Sequence, residues 1–187
     1  TPPCTQAIIQ AGIREVHIAT LDPNPKVNGN GVDELKASGI RVILGEYENK
    51  VKELYEGFSK HINTGLPFVI AKYAMSLDGK LATHTGHSKW ISNQQSRQSA
   101  QKLRSTVDGI MIGINTIIKD NPRLTSRGTN DTPRKYQPLR IIVDSHGNTP
   151  ISSQLLNEPG KTIIVTANPI RKKILDLENS GAEVLKL

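Results

Sequence analysis

The chain has 187 residues, 36% of them hydrophobic and 22% charged, which is enough for a soluble domain with a core, or for one domain and a piece of another. No apolar run approaches the roughly 20 residues that cross a bilayer, and the single cysteine, Cys4, excludes an internal disulfide framework and points to a reducing, cytoplasmic setting. The net charge of +7 is uneven: residues 1–65 carry 7 Lys/Arg against 8 Asp/Glu and the remainder 17 against 9, so the second part is expected to meet an anionic partner.

Taken in order, residues 4–11 predict a short helix closed by Gly12. Val16 and Ile18 alternate with polar neighbours and predict a strand over 15–20. Pro and Gly punctuate a long loop over 21–31. Residues 32–38 read as a helix stopped by Gly39, and 41–45 as the next strand. Val51, Leu54, Tyr55, Phe58 and Ile62 recur at helical spacing, so 48–65 predicts one amphipathic helix ended by Asn-Thr-Gly and Pro67. A domain boundary is expected there, dividing 1–65 from 66–187, because the charge balance changes sign and a run of β-formers opens at Phe68. Beyond it the pattern predicts strand 68–76, helix 93–106, strand 109–114, a short helix at 115–119, strands 139–145 and 161–167, helix 170–179 and strand 182–187, with a solvated polar loop at 128–138. Helices alternate with strands in both parts, so the fold class is α/β.

The chemistry-bearing residues are scattered along this frame. Cys4, at a helix start after two prolines, suits a thiolate ligand or nucleophile, yet no histidine stands at ligand spacing around it and one cysteine does not hold zinc. Lys72 lies in FVIAKYAMS, where it is either an edge residue reaching for water or a cleft residue facing an anion; the Ser-Leu-Asp-Gly turn after it favours the cleft. His84 and His87 read as an exposed polar loop. Trp90, the sole tryptophan, is either a core anchor or a flat wall against a ring. Arg97 and Arg104 stand seven apart on one helix face, where guanidinium forks grip a phosphate. Asn115 and Thr116 open a helix after an apolar strand. No Walker or GxGxxG pattern follows any strand.

TPPCT and LDPNPKVNGNG, followed by KYAMSLDGKLAT, GHSKWIS, VDGIMIGINTIIKDNPRLTSR and RIIVDS, resemble in order the bifunctional riboflavin-biosynthesis deaminase–reductase family. The resemblance implies the C-terminal part of a cytidine-deaminase-like three-layer domain, then part of a dihydrofolate-reductase-like domain. In that family zinc-dependent deamination of a phosphoribosylaminopyrimidine precedes NADPH-dependent reduction of its ribosyl group to ribityl. By motif, Cys4 would be one zinc ligand. Ala74, Trp90, Thr116, Asp120 and Ser145 would lie against NADPH, while Ser88, Arg104, Leu124 and Arg127 would hold the phosphorylated pyrimidine. Lys72 and Asp120 are the candidates for the catalytic proton. The resemblance also implies a homodimer, with neither nucleic acid nor membrane as partner. The His-Ala-Glu segment and first zinc cysteine of the family are not in this sequence, so the chain by itself is expected to lack deaminase activity. Two other readings compete: a stand-alone pyrimidine reductase of the same fold, against which TPPCT and DPNP speak, and a basic nucleic-acid-binding module, against which the seven scattered aromatics speak.

Overall fold

Gly12 and Gly39 adopt φ of +67° and +80° and end the first two helices in left-handed turns, as the sequence predicts. The computed structural model describes residues 3–128 and 130–187, which fall into two compact units, one ending at Lys72 and the other beginning at Tyr73. In the first unit β1 (Glu15–Ile18) and β2 (Arg41–Leu44) pair in parallel, Glu15 opposite Arg41 and Ile18 opposite Leu44. Helix α2 (Asn30–Ala37) packs on β2, and α1 (Cys4–Gln10) packs on α2. Val32, Leu35 and Ile40 are the buried apolar side chains there.

The single helix predicted over 48–65 is two, α3 (Glu48–Leu54) and α4 (Glu56–Thr64), broken at Tyr55 with φ −130° and ψ 29°. Leu54 is 83% exposed beside the break, and neither helix holds a buried residue. An apolar stripe stabilises a helix only where it packs, and here it does not.

In the second unit four parallel strands, β3 (Gly109–Gly113), β4 (Leu139–Val143), β5 (Thr162–Thr166) and β6 (Glu183–Lys186), lie side by side in chain order. Helix α5 (Gln94–Arg104) precedes β3, α6 (Ile114–Asp120) follows it, and α7 (Arg171–Asn179) joins β5 to β6. A 3-10 turn at Gln154–Asn157, not predicted, drives Leu155 into the core with Ile117, Leu124, Ile142, Ile164 and Leu177.

Residues 68–76 correct the sequence reading. They form no strand, and among the described residues no strand pairs with them. Alternation alone does not make a strand, because the N–H and C=O groups need a neighbour. Val69, Tyr73 and Met75 are accordingly exposed. The turn that ends the segment does form: the Gly79 N–H donates to the Ser76 carbonyl at 3.0 Å, and the Lys80 N–H to Ser76 Oγ at 3.0 Å.

One glycine is indispensable to the second unit. Gly160 has φ +104°, and a Cβ there would lie 2.8 Å from Gln137 Cβ, an atom close to the backbone that cannot swing aside. Gly160→Ala is therefore expected to destabilise by about 2–3 kcal/mol, read as a lower urea midpoint at unchanged slope.

Candidate functional site

Helix α5 is started by Asn93, whose Oδ1 accepts the Ser96 N–H at 2.9 Å. One turn on, Arg97 donates from Nη1 to the Ser92 carbonyl at 2.6 Å and lays its guanidinium 4.4 Å from the Trp90 ring centre. Trp90 is 73% exposed, so it is a surface wall with a cation on one face, not a core anchor. Arg97 is thus occupied, and the phosphate grip expected of Arg97 with Arg104 is not the one formed.

Arg104 is used differently. At the end of α5 it donates from Nη1 to the Thr125 carbonyl at 3.1 Å. Burial first, and the like charge of Arg127 second, hold its guanidinium below the ordinary arginine range. The structure therefore brings Arg104 and Arg127 together. What places Arg127 is the loop after α6. Asn121 and Leu124 take φ of +40° and +54°, conformations that non-glycine residues hold only when the surroundings impose them. Asn121 Oδ1 accepts the Gln154 N–H at 2.9 Å, and the Leu124 side chain is fixed in the core. Gln137 then clamps Ser126 from both sides, accepting its N–H at 2.8 Å and donating to its carbonyl at 2.9 Å.

Arg127 donates from Nη1 to Asp131. Among the described residues its buried Nε has no partner, nor do the buried Gln101 Oε1, Thr125 Oγ1 and Ser126 Oγ. Buried polar atoms are nearly always paired. Three of these orphans, the Thr125 and Ser126 hydroxyls and Arg127 Nε, are donors on residues 125–127, and with the guanidinium groups of Arg104 and Arg127 they suit an anion with several oxygens.

A second cluster stands at the carboxyl ends of β3 and β4. Thr116 and Asp120 lie on α6, which starts where β3 stops, and Ser145 lies two residues beyond β4. The Ser145 carbonyl accepts the N–H groups of Ala167 and Asn168 at 3.1 and 2.8 Å. Neighbouring Asp144 is 1% exposed. Its Oδ2 takes the Thr149 N–H and hydroxyl, both at 2.7 Å, while Oδ1 is unpartnered among the described residues. The carboxyl ends of parallel strands are the side on which open α/β sheets take ligands, and Thr116 and Ser145 follow two such ends.

The remaining predicted residues are not drawn into these clusters by any bond. Ala74 and Ser88 are half-buried in irregular chain. Lys72 is exposed and belongs to the first unit. Cys4 is exposed and free, and among the described residues no three His, Cys, Asp or Glu side chains could hold a metal ion. Zinc does not fit the residues described. An open cleft of about 550 Å³ in the first unit is lined by Asp22, Lys52 and Tyr55, with Lys52 paired to Glu48 at 2.8 Å. No helix among the described residues is long and apolar enough to cross a membrane.

Sequence reasoning missed Arg123, Asp131, Glu158 and Arg140. Arg123 is bound bidentately by Glu158, with Nη2 to Oε2 at 3.2 Å and Nε to Oε1, and its Nη1 lies 3.3 Å from Asp131 Oδ2. Arg140, 2% exposed, donates to the carbonyls of Glu158, Pro159 and Gly160 at 3.1, 3.0 and 2.7 Å and to Thr162 Oγ1 at 2.9 Å. An arginine inside the strand LRIIV, followed by Glu-Pro-Gly, was the available signal.

Comparison with known proteins places this arrangement. The family described as the RibD C-terminal domain matches residues 67–185. The riboflavin biosynthesis protein RibD of Aquifex aeolicus is 45% identical over the whole chain, and that of Actinobacillus pleuropneumoniae 38% identical over 99% of it; the chain covers 52% and 49% of those proteins. Among solved structures, a Thermotoga maritima diaminohydroxyphosphoribosylaminopyrimidine deaminase/5-amino-6-(5-phosphoribosylamino)uracil reductase superposes with TM-score 0.79 at 36% identity, covering the whole chain and 57% of that protein. Acinetobacter baumannii RibD superposes with TM-score 0.83 at 36% identity, covering the whole chain and 52% of that protein. The chain thus spans about half the length of the relatives it matches. Its fold is α/β, and the part that the family matches, 67–185, is dihydrofolate-reductase-like. With 67–185 matched across both clusters, the chain belongs to the RibD C-terminal domain family.

Proposed function

We propose that the chain serves the reductive step of riboflavin biosynthesis, in which the ribosyl group of a phosphorylated aminopyrimidine becomes ribityl at the expense of NADPH. The observation that carries this is the Arg104–Arg127 pair with the orphaned buried donors of residues 125–127, within a family whose relatives act in that pathway. In this reading residues 1–65 are the C-terminal part of a deaminase domain and 66–187 the reductase part. The protein works in the cytoplasm as a homodimer.

Arg104 and Arg127 hold the ribose phosphate, with Ser88 and the backbone at Leu124 setting the pyrimidine. Ala74, Trp90, Thr116, Asp120 and Ser145 form the NADPH side. When bound, NADPH supplies a hydride. The residues of the chain hold the opened sugar so that its imine carbon faces that hydride, since the rate depends on keeping the two carbons near contact distance. One proton must reach the imine nitrogen as the carbon accepts the hydride. Asp120 is the first candidate to deliver it, and Lys72 the second that the motif supplies.

Trp90 makes the reading easy to test, because it is the sole tryptophan and belongs to the proposed cofactor side. NADPH is expected to quench its emission saturably, with sensitised emission from the reduced nicotinamide. No quenching, together with no NADPH oxidation when the phosphorylated pyrimidine is added, would exclude the proposal.

A further inference from the structure

Three guanidinium groups and two carboxylates meet around residues 123–131, and the carboxylates are unlike each other. Glu158 is 16% exposed and grips Arg123 with both oxygens. Asp131 is 67% exposed and bridges Arg123 and Arg127, one oxygen to each. Its backbone is left-handed, with φ +58°, which an aspartate tolerates but does not prefer. Glu158 is thus a fixed part of the wall, whereas Asp131 is solvated and held weakly.

We infer that Asp131 is a built-in counter-ion of the anion site, one that keeps Arg127 oriented in the free protein and yields its place to a phosphate group. This rests on the proposed phosphorylated ligand. Charge and geometry agree on it. Arg104, Arg123 and Arg127 against Asp131 and Glu158 leave one positive charge; with Asp131 withdrawn two remain, which match a phosphate monoester near neutral pH. Asp131 also offers only two oxygens, one each to Arg123 and Arg127. It takes Nη1 of Arg127, while the buried Nε has no partner among the described residues. A phosphate in the same place offers three oxygens, one for each of the two Nη1 groups that Asp131 bridges and one more. The exposed pair it displaces is weak, so the exchange costs little.

The test uses the full chain and inorganic phosphate, followed by calorimetry and by hydrogen exchange of the Gly128 and Asp131 amides, which donate to the Thr132 and Gly128 carbonyls at 2.9 and 3.2 Å. Asp131→Asn removes the competitor and is expected to tighten phosphate binding roughly two- to fivefold. Asp108→Asn, the same charge change at an exposed residue that does not touch the arginines, is the control and should leave affinity unchanged. In the wild-type chain phosphate should speed exchange at both amides; in Asp131→Asn exchange should be fast already and indifferent to phosphate. Equal tightening in the two variants would reduce the effect to general electrostatics and overturn the inference. So would phosphate slowing exchange at these amides. If phosphate binds the wild-type chain yet Asp131→Asn leaves its affinity unaltered, the inference falls and the anion site stands. If neither the wild-type chain nor Asp131→Asn binds phosphate, both fall.

Discussion

Replacing Arg140 by methionine is expected to destabilise the second unit by about 2–4 kcal/mol, because hydrogen bonds from a charged donor are worth about 1.5–3 kcal/mol each and four are lost together. The figure stays below their sum for two reasons. Removing a buried guanidinium also removes the burial that holds it below its ordinary range, and the 158–160 turn can relax until its carbonyls find water. Arg140→Lys should recover only part of the loss, since one ammonium cannot reach three carbonyls and a hydroxyl as the planar fork does. Urea midpoints of the three proteins at constant slope measure the series. A loss under about 0.5 kcal/mol, the range of ordinary surface substitutions, would show that the turn does not depend on Arg140. The same turn carries Glu158, which orients Arg123, so phosphate affinity should fall with stability in Arg140→Met.

The second large effect concerns Arg127. Arg127→Ala should weaken binding of the phosphorylated pyrimidine, or of inorganic phosphate, roughly 10- to 150-fold, the equivalent of one charge-assisted interaction of about 1.5–3 kcal/mol. In steady-state assays the change should appear chiefly in KM, because the phosphate is remote from the reacting carbon and is gripped alike in the ground and transition states. Arg127→Lys should fall between, keeping the charge without the fork. Lys135→Ala, an exposed cation on the adjoining loop, should change affinity by less than about twofold. Equal losses at Arg127 and Lys135 would mean that diffuse positive charge attracts the ligand, with no built site.

Much of the fold was legible because it follows from local chemistry. Glycine stops, the short apolar runs in GIMIG and TIIVT, and the helix expected over 170–179 needed no knowledge of neighbours, and they ended within a residue or two of the predicted bounds. What misled were elements whose existence depends on a partner. FVIAKYAMS alternates as a strand should, yet has no described strand beside it. ENKVKELYEGFSKHINTG has a helical stripe, yet breaks where Leu54 meets solvent. The site divides in the same way. Arg104 and Arg127 were nameable from motifs, but Asp131, which pairs with Arg127, comes from a loop read as merely solvated, and Glu158, which holds Arg123, comes from a distant turn. Side-chain pairs 35 residues apart, such as Arg123 with Glu158, leave no periodic trace in a sequence.

The order of the second sheet has a bearing on how the chain is made. Because β3, β4, β5 and β6 lie side by side in the order in which they are written, each strand leaving the ribosome finds its template in the strand synthesised just before it. Among the described residues no strand has to be threaded between two already paired. Growth from one edge keeps each closing loop short, which limits its entropic penalty, and covers each new apolar strand soon after it appears. Assembly of these four strands can therefore keep pace with translation.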